Sequence, residues 1–182
     1  MSEPGATPDW TDQHWLATCA LFYAPMAGFS AWWMELGPPP SVASWSWAVP
    51  GVMAGIIVHV GLRQLPWFHE LAAGLRAQLG DMRLSTALVV ALASGVAEEW
   101  LFRGVLLQAW GPLLSTLAFA AAHPPTERRL VTWPLFALGI GALAAWMTLW
   151  TGGLIAAAAM HVAINALGLL WLRRTNAPRS RD

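Results

Sequence analysis

Leu84 to Trp110 reads LSTALVVALASGVAEEWLFRGVLLQAW, an apolar run with the adjacent acids Glu98 and Glu99 at its middle and Arg103 one helical turn beyond. A charged side chain at membrane depth costs about 2.5 to 3.5 kcal/mol on insertion scales, so three of them on one span need a reason. Glu99 and Arg103 are four residues apart with the acid on the N-terminal side, the favoured orientation for an ion pair on one helix face. Glu98 points about 100° away around the helix and lacks that partner. The spacing therefore assigns Glu99 and Arg103 to a structural pair and leaves Glu98 for chemistry.

The rest of the chain agrees with a membrane protein. Of 182 residues, 57% are hydrophobic and 11% charged, against about 25% charged in a soluble domain. Thirteen tryptophans accompany a single tyrosine, Tyr23. Many fall near expected span ends, where an amphipathic ring suits the headgroup layer, although a compositional bias explains them equally well. The lone cysteine, Cys19, excludes an intramolecular disulfide and a thiolate metal cluster. The first 14 residues carry three acids and no Lys or Arg, unlike a cleaved signal peptide. Formal net charge is zero and the arginines are dispersed, which argues against a nucleic-acid partner.

The pattern predicts an all-α bundle of about six spans: Trp15 to Met34, Ala43 to Leu62, Leu84 to Trp110, Pro112 to His123, Pro134 to Trp150 and Gly153 to Leu172. Residues 1–14 and 173–182 are then tails, and 15–172 is one transmembrane domain whose motif-bearing core is 84–172. With six spans, every arginine except Arg103 lies on one side, the side of both termini. By the positive-inside rule that side is cytoplasmic. In the 63–83 segment, Phe68, Leu71, Leu75 and Leu79 recur at helical intervals, which fits either an interfacial amphipathic helix or a connecting helix packed on the bundle. His69-Glu70 in that segment lacks the second histidine of a zinc-protease helix, since that position is Ala73.

Two further spans carry intramembrane polar groups. His123 ends the fourth, four residues after Phe119, and His161 and Asn165 share a face of the sixth. Counted from the turns near Gly111 and Gly152 at 1.5 Å per residue, Glu99 and His123 lie about 18 Å deep and His161 about 14 Å. Taken singly, His123 reads as an interfacial histidine before Pro124-Pro125, Asn165 as an interhelical hydrogen-bonding group and Phe119 as core. Taken together, one site accounts for all of them. A poorly solvated Glu98 suits a general base, His123 can position water beside it, and His161 with Asn165 can donate to a developing oxyanion, with Phe119 as a wall. Water at that depth implies a cavity between spans three, four and six. Gly95, just before Glu98, suits close helix packing.

Glu98-Glu99-Trp100-Leu101-Phe102-Arg103, Phe119 with His123, and His161 with Asn165 resemble the motifs of the CAAX prenyl protease and bacteriocin-processing family of intramembrane proteases, also called the Abi family. The resemblance covers residues 84–172. It implies an intramembrane endopeptidase in which Glu98 and His123 activate water, His161 and Asn165 stabilise the oxyanion, and Glu99, Arg103 and Phe119 support the site. It also implies a membrane protein or peptide as substrate, cut near a C-terminal sorting tag, and a bacterial cytoplasmic membrane as location. The family has been described both as metal-dependent and as glutamic-type. Zinc held by Glu98, His123 and His161 is chemically allowed, and Asn165, a poor zinc ligand, favours a metal-free site. A scaffold or immunity protein without cleavage, or a small transporter, are the competing readings.

Overall fold

A computed structural model describes residues 12–36, 45–79 and 82–174. The expected tails therefore lie mostly outside the described residues. Among the described residues seven α-helices carry the fold: α1 Asp12–Leu36, α2 Ala48–Leu62, α3 Pro66–Leu79, α4 Leu84–Glu99, α5 Leu107–Ala121, α6 Trp133–Thr151 and α7 Ile155–Arg174. A π-helical turn, Trp100–Leu106, joins α4 to α5, and no strand occurs among the described residues. Leu21, Ile57, Leu92, Leu113 and Leu149 are exposed on the outside, while Glu98, Glu99 and Arg103 are buried. Apolar groups outside and charges inside are the arrangement that a lipid solvent demands. The chain is a multi-pass membrane protein.

Among the described residues, four segments are long and apolar enough to cross a bilayer: Trp45–Leu62, Leu84–Ala121, Arg128–Thr151 and Ile155–Arg173. The difference from six spans has two causes. Spans three and four are one run of 38 residues, whose straight length of about 57 Å would far exceed a hydrocarbon core of about 30 Å. It turns instead at Gly111, whose φ of 78° belongs to a region that disfavours side chains, and Pro112 follows. The first expected span, now within α1, has the length but is not among the four. A second positive φ, 72° at Gly152, closes α6 and lets Gly153 N–H reach the Thr148 carbonyl at 3.1 Å before α7 begins.

Close approach of α2 and α7 depends on missing side chains. A Cβ at Gly51 would strike the Ala156 carbonyl, and one at Gly55 would lie 2.7 Å from the Met160 carbonyl and 2.8 Å from the Ala163 Cβ. Both obstacles at Gly55 are stiff, so Gly55→Ala is expected to lower stability by about 1 to 3 kcal/mol through forced separation of the helices. A thermal-midpoint measurement in detergent checks this, and an unchanged midpoint would contradict it. Gly95 plays the same part between α4 and α7, where a Cβ would lie 2.9 Å from the Val162 nitrogen.

The 63–83 segment is a connecting helix packed on the bundle. α3 buries Phe68 and Leu71 with Leu130, and Trp171 stacks on Phe68 at 5.9 Å. At the same end, Asp12 ties α1 to the start of α4. Its Oδ1 accepts from the Arg83 N–H at 2.9 Å and its Oδ2 pairs with the Arg83 guanidinium at 2.9 Å. The backbone hydrogen bond from Arg83 is the main reason that the Asp12 carboxyl is held below its ordinary range, with the Arg83 charge adding to it. This tie is present above the ordinary carboxylate pKa and is lost as pH falls through the lowered one.

Candidate active site

The π turn after Glu99 is the local device that arranges the acids. Widening the helix there breaks the regular i to i−4 ladder, and the Ser115 hydroxyl of α5 donates to the Phe102 carbonyl at 2.6 Å inside the turn. Arg103 sits within it, 1% exposed. Its Nη1 lies 3.2 Å from Glu99 Oε1, its Nη2 donates to the Gly141 carbonyl at 2.8 Å, and its guanidinium lies 4.4 Å from the centre of the Phe119 ring. Gly141 admits this arrangement, because a Cβ there would press within 3.2 Å of the guanidinium and 3.0 Å of Phe119. A charge, a dipole and a π face thus hold one cation, as burial requires.

Glu99 has a second partner. Its Oε1 accepts from His161 Nδ1 at 2.8 Å, so α4 and α7 are joined through the carboxylate. His123 is fixed by the Phe119 carbonyl, 2.7 Å from its Nδ1. A carbonyl only accepts, so Nδ1 carries the proton and Nε2 faces inward with a lone pair in the neutral ring. The Nε2 atoms of His123 and His161 lie 3.7 and 3.8 Å from the same oxygen, Glu98 Oε2. That oxygen is buried and makes no hydrogen bond among the described residues. Phe119 packs against both imidazoles, with ring centres 4.6 and 5.7 Å away.

Five of the residues singled out in the sequence, Glu98, Glu99, Arg103, His123 and His161, thus meet in one place, with Phe119 as their common wall. Asn165 sits differently. Its amide donates to the Ser94 hydroxyl at 2.8 Å, and Ser94 donates on to the Ala91 carbonyl at 3.3 Å. Ser94 is a site residue that the sequence analysis did not single out. Its position one turn before Glu98 was the available signal. Tyr23 of α1 was missed as well, although it is the only tyrosine and its hydroxyl interacts with both the Glu98 carboxylate and Ser94.

Glu98, His123, His161 and Asn165 border a partly open cavity of about 560 Å³. Its walls extend beyond the expected three spans, to Phe22 and Tyr23 of α1, Phe68 and Leu75 of α3, and Trp133 and Phe136 of α6. His59 lines the far part, edge-on to Phe68 and Trp171. No group of three or more His, Cys, Asp or Glu side chains is arranged to hold a metal ion among the described residues.

The structure thus shows a helical membrane protein that buries a carboxylate between two imidazoles, beside a largely apolar cavity. Residues 81–167, which include all the site residues except Tyr23, match the family model described as Type II CAAX prenyl endopeptidase Rce1-like. Over that segment the chain is similar to the CAAX prenyl protease and bacteriocin-processing family, a family of intramembrane endopeptidases. No curated protein and no solved structure matches the chain.

Proposed function

We propose that this protein is a glutamate-dependent intramembrane endopeptidase in which Glu98 and His123 activate the hydrolytic water while His161 and Asn165 stabilise the oxyanion. One observation carries the reading: a buried carboxylate oxygen without a hydrogen bond stands 3.7 and 3.8 Å from two imidazole nitrogens. These gaps are too long for direct hydrogen bonds, and a water about 2.8 Å from each partner fits beside the line joining them. Glu98 takes the proton as the water oxygen attacks the scissile carbonyl, and returns it to the leaving amine. His123 Nε2 accepts the second hydrogen of that water and so fixes its lone pair on the carbonyl.

His161 Nδ1 is committed to Glu99, so Nε2 can donate to an oxyanion only from the imidazolium. Electroneutrality supports that form. With Glu98 and Glu99 ionised and Arg103 charged, one more cation makes the buried cluster neutral. Asn165 keeps one amide hydrogen on Ser94 and has a second to offer. Glu99, Arg103 and Phe119 support these groups. Tetrahedral zinc places its ligand atoms about 3.4 Å apart at bonds of about 2.0 to 2.1 Å. The His123 and His161 nitrogens stand farther than that from Glu98 Oε2, and Asn165 is turned to Ser94, which supports a mechanism without a metal. Cleavage is accordingly expected to persist unchanged in strong chelators, and its loss, restored by zinc, would contradict this.

The substrate is a membrane protein or peptide in a bacterial cytoplasmic membrane, cut near a C-terminal tag made of an apolar span and basic residues. The arginine distribution supports a cytoplasmic position for both termini. A comparison of membrane-protein C-termini in cells with the protein, without it, and with Glu98→Gln tests this. At least one C-terminus should be shortened only with the parent protein. Identical C-termini in all three would favour a scaffold or immunity role instead.

A further inference from the structure

We propose that Tyr23 is a positioning residue for Glu98, its phenol holding the carboxylate so that Oε2 faces the two imidazoles. The inference rests on the endopeptidase reading above and extends the site to a helix outside the matched segment, residues 81–167. Tyr23 lines the cavity together with Glu98, Ser94 and Asn165, and its hydroxyl interacts with both Glu98 and Ser94. Oε2 makes no hydrogen bond among the described residues, so a donor among them that orients this carboxylate acts at Oε1. Of the groups around Glu98, the imidazoles both face Oε2, and Arg103 is directed to Glu99 and Gly141. The phenol is the donor left for the other oxygen.

Ser94 makes the same phenol part of the opposite half of the site, because its hydroxyl accepts from Asn165. The single Ser94 hydrogen serves either the Ala91 carbonyl or the phenol oxygen, and in the second arrangement base and oxyanion donor are connected through Glu98, Tyr23, Ser94 and Asn165, in that order. α1 is held in place for this by Asp12 on Arg83, by Trp15 Nε1 donating to the Leu79 carbonyl at 3.1 Å, and by Trp100 Nε1 donating to Met34 Sδ at 3.2 Å. The phenol keeps its own proton throughout. The proton taken from water passes to Glu98 and then to the leaving amine, and only the direction of the acceptor depends on Tyr23.

Tyr23→Phe keeps the ring and removes the hydroxyl. It should lower kcat on the order of tenfold to a hundredfold, the scale of a misplaced reacting group, with KM changed less than about twofold. Ser94→Ala combined with Tyr23→Phe should cost less than the product of the two single losses, since both act through one network. An unchanged kcat, or a rise in KM alone, would overturn the proposal.

A second measurement needs no turnover. Because Tyr23 is the only tyrosine, global incorporation of 3-fluorotyrosine labels one site, whose ¹⁹F resonance should shift with Glu98→Gln and stay fixed with Glu70→Gln. No shift with Glu98→Gln would show that the contact is missing, whatever the activity. Full cleavage by Glu98→Gln would instead sink the endopeptidase reading, and is read separately from the Tyr23 result.

Discussion

Glu98→Gln is expected to lower peptide cleavage on the order of a thousandfold or more, because the amide cannot take a proton from water. Size and polarity are kept, so substrate binding and the cavity should persist. Stability should hold or rise: the carboxylate oxygen Oε2 is buried without a hydrogen bond, and a neutral amide avoids the cost of keeping a charge there. Loss of cleavage at an undiminished thermal midpoint is therefore the expected pair of results. Glu98 and His123 serve one water, so adding His123→Gln to Glu98→Gln should cost little more than Glu98→Gln alone. Two full and multiplicative losses would mean that the two residues act on different steps.

Arg103→Leu is expected to destabilise the protein by about 3 to 5 kcal/mol, the usual consequence of leaving one member of a buried ion pair alone. The stranded group is Glu99, fully buried and still bonded to His161. Arg103→Lys should rescue only part of the loss, because an ammonium cannot meet Glu99, the Gly141 carbonyl and the Phe119 face at once. Glu99→Leu together with Arg103→Leu removes both charges. Thermal midpoints of the single and double variants should therefore recover more than half of the lost stability in the double. Cleavage should stay low in the double, since His161 has lost the carboxylate that holds its Nδ1. Simple additivity of the two losses would show that the pair is not coupled.

Much of this site was legible because helical spacing reports faces. The four-residue steps Glu99 to Arg103, Phe119 to His123 and His161 to Asn165 placed partners on one face each, and the structure has Glu99 on Arg103 and Phe119 against His123. Depth counting brought three helices to one level. Lateral geometry was not readable in the same way. That Asn165 meets Ser94, that Glu99 also holds His161, and that Tyr23 reaches Glu98 are contacts between segments far apart in sequence. No local pattern in Trp100–Leu106 announces a π turn, since its stability comes from Ser115 and Arg103 making tertiary bonds. The span count differed for a related reason. Gly111-Pro112 marked a turn correctly, but the helix runs up to it and away from it without an intervening loop. The all-α membrane bundle itself was carried by composition and apolar runs, which depend on no tertiary detail.

The most direct test of a water activated by Glu98 uses the purified protein in lipid vesicles, in H₂¹⁸O. The probes are synthetic peptides with an apolar span and basic C-terminus, with and without a prenylated cysteine. The parent protein should release a fragment whose new C-terminal carboxylate carries one ¹⁸O, and Glu98→Gln should release none above background. Equal ¹⁸O-labelled product from both proteins would contradict the account.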